Sequence, residues 1–166
     1  QWVADKVHEE KIDALFWSTS ATTLAIDKFR RYLNPSLLRD LPSSDSVSLV
    51  YDKLRTFRMA RDVGMPIPRT ETWDEVDIES LAAGATFPCV IKPRHSCVFL
   101  DGQIVGCGSH RYIYDKNAFI GAAKLWDRRF PSPLVQEMIP GFGFGVFILM
   151  HEGEAVASFA HQRIRE

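Results

Sequence analysis

What the chain lacks narrows its class first. Its three cysteines, Cys89, Cys97 and Cys107, form no CxxC pair. The sequence therefore offers neither a disulfide framework nor a paired-thiolate zinc site, and a reducing cytoplasm suits it. Charge is nearly balanced, with 20 basic against 21 acidic residues and a formal net of −1. That excludes the broad cationic face that binds nucleic-acid phosphates, so any anion site must be local. No apolar run approaches the roughly 20 residues that span a bilayer, and the opening QWVADKVHEEK has no signal-peptide hydrophobic region, so no membrane partner is expected. His95, His110 and His151 show no HxxxH spacing and are not read as metal ligands. Internal repeats and low-complexity tracts are missing too.

What is present is a globular composition: 46% of the 166 residues are hydrophobic and 11% aromatic, enough to bury a core. Both ends look cut, the first residues reading as mid-helix and the last, SFAHQRIRE, as an interrupted strand, so a fragment is expected. The apolar run IDALFWS suits a buried strand, and SATTLAIDKFRRYL, with Ser and Thr caps and a stop at Asn34-Pro35, suits a helix. Helix, strand and helix make an α/β remnant. The Pro, Ser and Asp-rich NPSLLRDLPSSDS reads as a linker, with a boundary near Ser46 dividing residues 1–45 from 46–166.

In the second unit, DKLRTFRMARDVG is a helix with Asp52 as N-cap and Gly64 as its stop. MPIPRT runs extended, a short helix follows from about 74 to 83, and PCVIKP is a strand. Asp101-Gly102 between two apolar runs predicts a hairpin, and Glu152-Gly153 marks the turn of a second. Between them come a helix from Asp115 to about Arg129 and a strand at LVQEMI. The class is α+β with antiparallel pairing.

Lys92 ends its strand against Pro93, where an ammonium can meet a ligand phosphate or simply reach solvent. Lys53, in the first turn of its helix, is disfavoured by the helix dipole unless an anion or a carboxylate such as Asp52 or Asp62 answers it. GFGFG at 141–145 lacks the following helix of a dinucleotide fingerprint, so its glycines either turn beside a flat ligand or relieve crowding. Glycines 102, 106 and 108 lie between the basic segments PRH and SHR, where backbone amides could close over phosphate, or are ordinary hairpin glycines. His161, Arg163 and Arg165 alternate and share one face of the last strand, suited to a phosphate or carboxylate or to solvent. Cys89 is expected in the core, and Cys97 and Cys107 have no base that would make them nucleophiles.

In order along the chain, YDKLRTFRMARDVGMPIPRT, FPCVIKPR and LVQEMIPGFGFGVFILMHEGEAVASFAHQRIRE resemble the ATP-grasp superfamily over roughly residues 50 to 166. The likeness is especially to carboxylate-amine ligases similar to carbamoyl-phosphate synthetase and biotin carboxylase. IDALFWSTSATTLAIDKF resembles the end of the Rossmann-like domain that precedes the grasp. The resemblance implies an ATP-grasp fold, ATP and Mg2+ as cofactors, and small-molecule carboxylate and amine substrates; homo-oligomerisation is left open. It implies that Lys53 and Lys92 bind the phosphates and that Val90, with Ile91, floors the adenine pocket. It makes Gln136, Glu137, Met138 and Ile139 the adenine hinge, with the Glu137 and Ile139 backbones pairing to the base. Arg94 begins the phosphate-covering loop that runs to Gly108, and Arg163 and Arg165 become catalytic contacts to the triphosphate or acyl-phosphate. Phe144 stands where several relatives carry an acid for the ribose. Mg2+ ligands of the Glu-x-Asn type would follow the segment's end, so the fragment itself is expected to be inactive. The alternatives are a regulatory nucleotide-binding domain without ligase chemistry and a dinucleotide oxidoreductase.

Overall fold

The computed structural model describes every residue except 1, 14, 16, 39, 40, 75, 165 and 166. The helices are α1 (Trp2–Glu9), α2 (Ser20–Phe29), α3 (Pro35–Leu38), α4 (Ser44–Tyr51), α5 (Lys53–Asp62), α6 (Ile78–Gly84) and α7 (Lys116–Lys124). The strands are β1 (Thr70–Thr72), β2 (Cys89–Lys92), β3 (Cys97–Leu100), β4 (Gln103–Gly106), β5 (Arg111–Ile113), β6 (Leu134–Glu137), β7 (Phe144–His151) and β8 (Glu154–Gln162). Four of them form one antiparallel sheet in the order β1-β6-β2-β5, while β3-β4 and β7-β8 are separate two-stranded ribbons. The expected mixture of helix and antiparallel sheet is present.

Caps define where the helices begin. The Asp77 side chain accepts from Ser80 N and that of Asp115 from Ala118 N, each at 2.8 Å, meeting a first-turn amide that has no intrahelical partner. Alternation then sorts the sheet. Cys89 and Ile91 of β2, Ile113 of β5 and Val135 of β6 point to one face, where Leu81 of α6 and a fully buried Phe119 of α7 close the core. The opposite face carries Val90, Lys92 and Gln136, because successive side chains of a strand project to opposite sides. The two hairpins turn as read: Asp101 and Gly102 have φ of 50° and 79°, Glu152 and Gly153 of 49° and 86°, the paired positive values of a type I′ turn.

Three expectations differ from the structure. IDALFWS forms no strand at its described residues 12, 13, 15, 17 and 18; positions 14 and 16 lie outside the description. A strand needs a neighbour to satisfy its backbone, and among the described residues the first 50 contain none. The Ser and Pro-rich stretch read as a linker is largely helical, with position 46 inside α4. Its serines act locally: Ser43 caps α4 by accepting from Ser46 N at 3.1 Å, and Ser44 Oγ donates to Asp27 of α2 at 2.7 Å. The helix expected to reach Arg129 stops at Lys124, where Leu125 N and Trp126 N cap its last carbonyls.

GFGFG relieves crowding. A Cβ at Gly145 would lie 2.6 Å from His161 Cε1, and one at Gly143 would lie 3.1 Å from Arg163 Cβ. Glycine lets the His161 ring lie over the neighbouring strand, stacked with Phe147 at 5.1 Å.

Candidate functional site

The two lysines singled out by sequence come together. β2 ends at Lys92 because Pro93 cannot continue the ladder, and the chain then passes beside the start of α5. There Lys53 N donates to Arg94 O at 3.2 Å, and Lys53 Nζ donates to Pro93 O at 3.1 Å. Lys53 and Lys92 line one open cleft of about 240 Å³ with His95, Ser96, Gly108 and His110. Gly108 and His110 come from the glycine-spaced stretch beyond β4.

Each lysine is held by neutral groups. Lys92 Nζ donates to Gln136 Oε1 at 2.7 Å and sits 5.0 Å from the centre of the Phe57 ring. Gln136 Nε2 donates in turn to Thr70 Oγ1 at 2.8 Å, and Thr70 Oγ1 to Pro68 O, also at 2.8 Å. Gln136 thus spends both ends of its amide inside the protein and positions Lys92. Burial pushes the pKa of Lys92 down, and the Lys53 charge pushes it further. Lys53 is lowered as well, by burial, only partly offset by Cys107, Asp52 and Cys97. Two half-desolvated cations facing one cleft form a site that a polyanion would relieve.

The sign of that strain is testable. With folded pKa values below the unfolded 10.5, the charged lysines cost stability in full at neutral pH. The cost fades as pH rises from the folded pKa toward 10.5. Lys92→Met should therefore change stability relative to the parent by an amount that becomes less favourable to the variant as pH rises. Thermal melts between pH 7 and pH 10 measure it; a difference independent of pH contradicts the assignment.

Arg94 is placed differently from expectation. Its guanidinium pairs with Asp52, Nε to Oδ1 at 2.7 Å and Nη2 to Oδ2, and Nη1 lies 3.7 Å from Asp74. It does not line the cleft. The same Asp52 carboxylate caps α5 through Leu54 N at 3.0 Å and Arg55 N at 3.4 Å. Burial would raise the pKa of Asp52, but the Arg94 hydrogen bonds and charge outweigh it and hold the carboxyl below its usual range. Sequence reading saw the cap and missed the pair, because 42 residues separate its members.

His95, a cleft residue given no role of its own in the sequence, has its pKa lowered by burial against the pull of Asp52. The neutral imidazole is thereby favoured. Its Nδ1 is buried without a partner among the described residues.

Val90 lies on the cleft face of β2 with Lys92, but Ile91 faces the helical core and does not floor the site. Register carries the surface onward: Val90 pairs with Gln136 and Cys89 with Glu137. The end of β6 therefore lies three residues along from Lys92, about 10 Å at strand rise. There Glu137 N donates to Arg69 O at 3.0 Å, but Arg69 N donates to Glu137 Oε1 at 2.7 Å. A regular ladder would direct Arg69 N to the main-chain oxygen of Glu137. The side chain takes its place and spares that carbonyl. Met138 and Ile139, beyond the strand, are exposed, Ile139 at 63%.

Arg163 does not join the cleft. It follows β8 on the separate ribbon, exposed, its amide donating to Gly143 O at 2.7 Å. Arg165 lies outside the described residues. Among the described residues, no three His, Cys, Asp or Glu side chains gather as a metal site.

No protein-family profile matches the chain. Over 106 residues it is 31% identical to D-alanine–D-alanine ligase of Stutzerimonas stutzeri (strain A1501), covering 63% of this chain and 31% of that protein. Over the same length it is 30% identical to the D-alanine–D-alanine ligase of Ectopseudomonas mendocina (strain ymp). Among solved structures it resembles carboxyaminoimidazole ribonucleotide synthase from Aspergillus clavatus, complexed with ATP. That match has a TM-score of 0.60 and 15% identity, over 87% of this chain and 35% of the other. The chain has the ATP-grasp fold and resembles ligases of the ATP-grasp superfamily.

Within that superfamily, a D-alanine–D-alanine ligase from Bacillus anthracis also shares the fold, with a TM-score of 0.50 over 98% of this chain and 58% of the other. At 15% identity both structures speak for the ATP-grasp fold alone. The chain spans about a third of the length of the curated ATP-grasp relatives it matches. Those relatives are D-alanine–D-alanine ligases; the likeness to carbamoyl-phosphate synthetase and biotin carboxylase rests on the motifs alone.

Proposed function

We propose that this chain is the ATP-binding part of a ligase that activates a carboxylate as its acyl-phosphate for attack by an amine. One observation carries the reading: ammonium groups from separate elements, Lys53 of α5 and Lys92 of β2, meet in one cleft. Both have pKa values lowered by burial. In this reading the triphosphate lies between them. The nucleotide runs along Val90 toward the end of β6, and the adenine edge pairs with the spared Glu137 carbonyl and the Ile139 amide. Met138 offers its side chain nearby. The 10 Å from Lys92 to that edge suits the reach of ATP from base to phosphates.

In phosphoryl transfer the protein mostly positions the groups and neutralises charge. A carboxylate oxygen attacks the γ-phosphorus and ADP leaves; the amine then attacks the acyl carbon, phosphate departs and the amine loses a proton. Lys53 and Lys92 balance the charge of the transferring group. The name of the curated relatives, a ligase of D-alanine to D-alanine, supports small carboxylate and amine substrates. ATP would bring Mg2+ as its counter-ion, and no residue of this chain is assigned to it. In this reading the residues before α4 are the end of a preceding Rossmann-like domain and those from α4 onward the grasp proper, which moves the division expected between 45 and 46 to the start of that helix. Among the described residues no helix is long and apolar enough to cross a membrane.

Calorimetric titration of the 166-residue chain tests the reading. ATP should bind saturably and NADH at least tenfold more weakly; a preference for NADH, or no heat with ATP, overturns it.

A further inference from the structure

On the helix side of the sheet, behind the loop that walls the lysine cleft, lies a second cavity of about 300 Å³. Ile91, Ala122, Leu125, Trp126 and Phe130 form its apolar side, and Ser109, Arg111 and Asp127 bring polar groups to the rest of the lining. Two polar groups of residues that line it have no partner among the described residues. Arg111, two residues before the core residue Ile113 and therefore on the same face of β5, lines the cavity, and its guanidinium makes no hydrogen bond or ion pair. Trp126 Nε1 is buried and unpaired, its ring held edge-on to Trp73 at 5.9 Å. An acid, Asp127, also lines the cavity, and its carboxylate is paired with Arg129, Nη2 lying 2.7 Å from Oδ2. The terminal carbonyls of α7, at Gly121 and Ala123, are taken by the amides of Leu125 and Trp126.

An open cavity of this size, with one apolar side and one uncommitted guanidinium, matches a small apolar carboxylic acid, since arginine meets a carboxylate through two parallel hydrogen bonds. The cavity also shares Gly108 and Ser109 with the lysine cleft, so one short loop separates the two spaces. We propose that this cavity binds a small apolar monocarboxylate. The carboxylate sits on Arg111, the hydrocarbon part lies against Trp126, Leu125 and Phe130, and occupancy is communicated to the lysine cleft through Gly108 and Ser109. The binding site stands on its own geometry; the communication rests on the nucleotide reading of the cleft.

Phenylacetate is a suitable probe, followed by the indole 15N–1H signal of Trp126, assigned by its loss in Trp126→Phe. A saturable shift of that signal is expected. Arg111→Gln, an exposed edge-strand change whose folding the same spectrum reports, should weaken it at least tenfold, as should replacing the probe by uncharged benzyl alcohol. No saturable shift at Trp126, or equal affinity in Arg111→Gln or for benzyl alcohol, overturns the site. At saturating phenylacetate the Kd for ATP should change at least threefold in the parent chain and not in Arg111→Gln. Phenylacetate binding with an unchanged ATP affinity overturns the communication. Because the Trp126 titration contains no nucleotide, failure of ATP binding and failure of this site give different results.

Discussion

Lys92→Ala is expected to weaken ATP binding by about 10- to 100-fold, the range of one lost hydrogen bond to a charged partner at 1.5–3 kcal/mol. In an active ligase that contains this chain the same change should abolish ATP turnover. The size follows from where the ammonium sits. It is half-buried, beside a like charge, and held toward the cleft by Gln136 Oε1 at 2.7 Å. No other cation stands on that stretch of β2. Calorimetry on parent and variant reads the ratio of Kd values. A well-folded Lys92→Ala chain that binds ATP within twofold of the parent would remove Lys92 from the site. Lys53→Ala should behave alike, and the double variant should lose less than the summed effects, because each lysine binds the same anion in the unfavourable field of the other.

The second large effect concerns stability. Asp52→Ala removes the α5 cap and the carboxylate that pairs with Arg94 in one step. A lost cap costs typically about 1 kcal/mol and a charged hydrogen bond about 1.5–3 kcal/mol. A loss of roughly 2–4 kcal/mol is expected, visible as a fall in Tm of roughly 5–15 °C. The pH dependence has a fixed sign. The folded pKa of Asp52 lies below its unfolded value, so its contribution is complete above the unfolded pKa and is lost as pH falls through the folded one. Parent and Asp52→Ala melts should therefore converge in acid. Melts that differ by the same amount at pH 7 and pH 3 would show that the Arg94 pair contributes nothing. Arg94→Gln should lose less than Asp52→Ala, because it leaves the cap in place.

Much of the chain could be read from sequence wherever the governing interaction is local. Turn chemistry belongs to two adjacent residues, so Asp101-Gly102 and Glu152-Gly153 announced both hairpins. Caps act over three residues, so Asp52 marked the start of α5. Lys53 and Lys92 could be named because each is anomalous in its own element, one at the positive end of a helix and one trapped before proline. IDALFWS shows the limit: apolar composition suits a strand, but a strand exists only where another supplies its hydrogen bonds. The serines around position 46 mislead for a similar reason, since the residues that disfavour helix interiors are the ones that start helices.

Sequence by itself determined the antiparallel α+β character, both hairpin turns, the helix starts and the pair of anomalous lysines, because each depends on neighbours within a few residues. Tertiary structure alone decided that those lysines share a cleft, that Arg94 serves Asp52, that Gln136 holds Lys92 and that the Glu137 side chain spares its own carbonyl. Those contacts join positions roughly 40 to 70 residues apart in the chain. Ion pairing and hydrogen bonding act through space over a few ångströms, so which distant groups meet is set by the register of the sheet and the path of the loops.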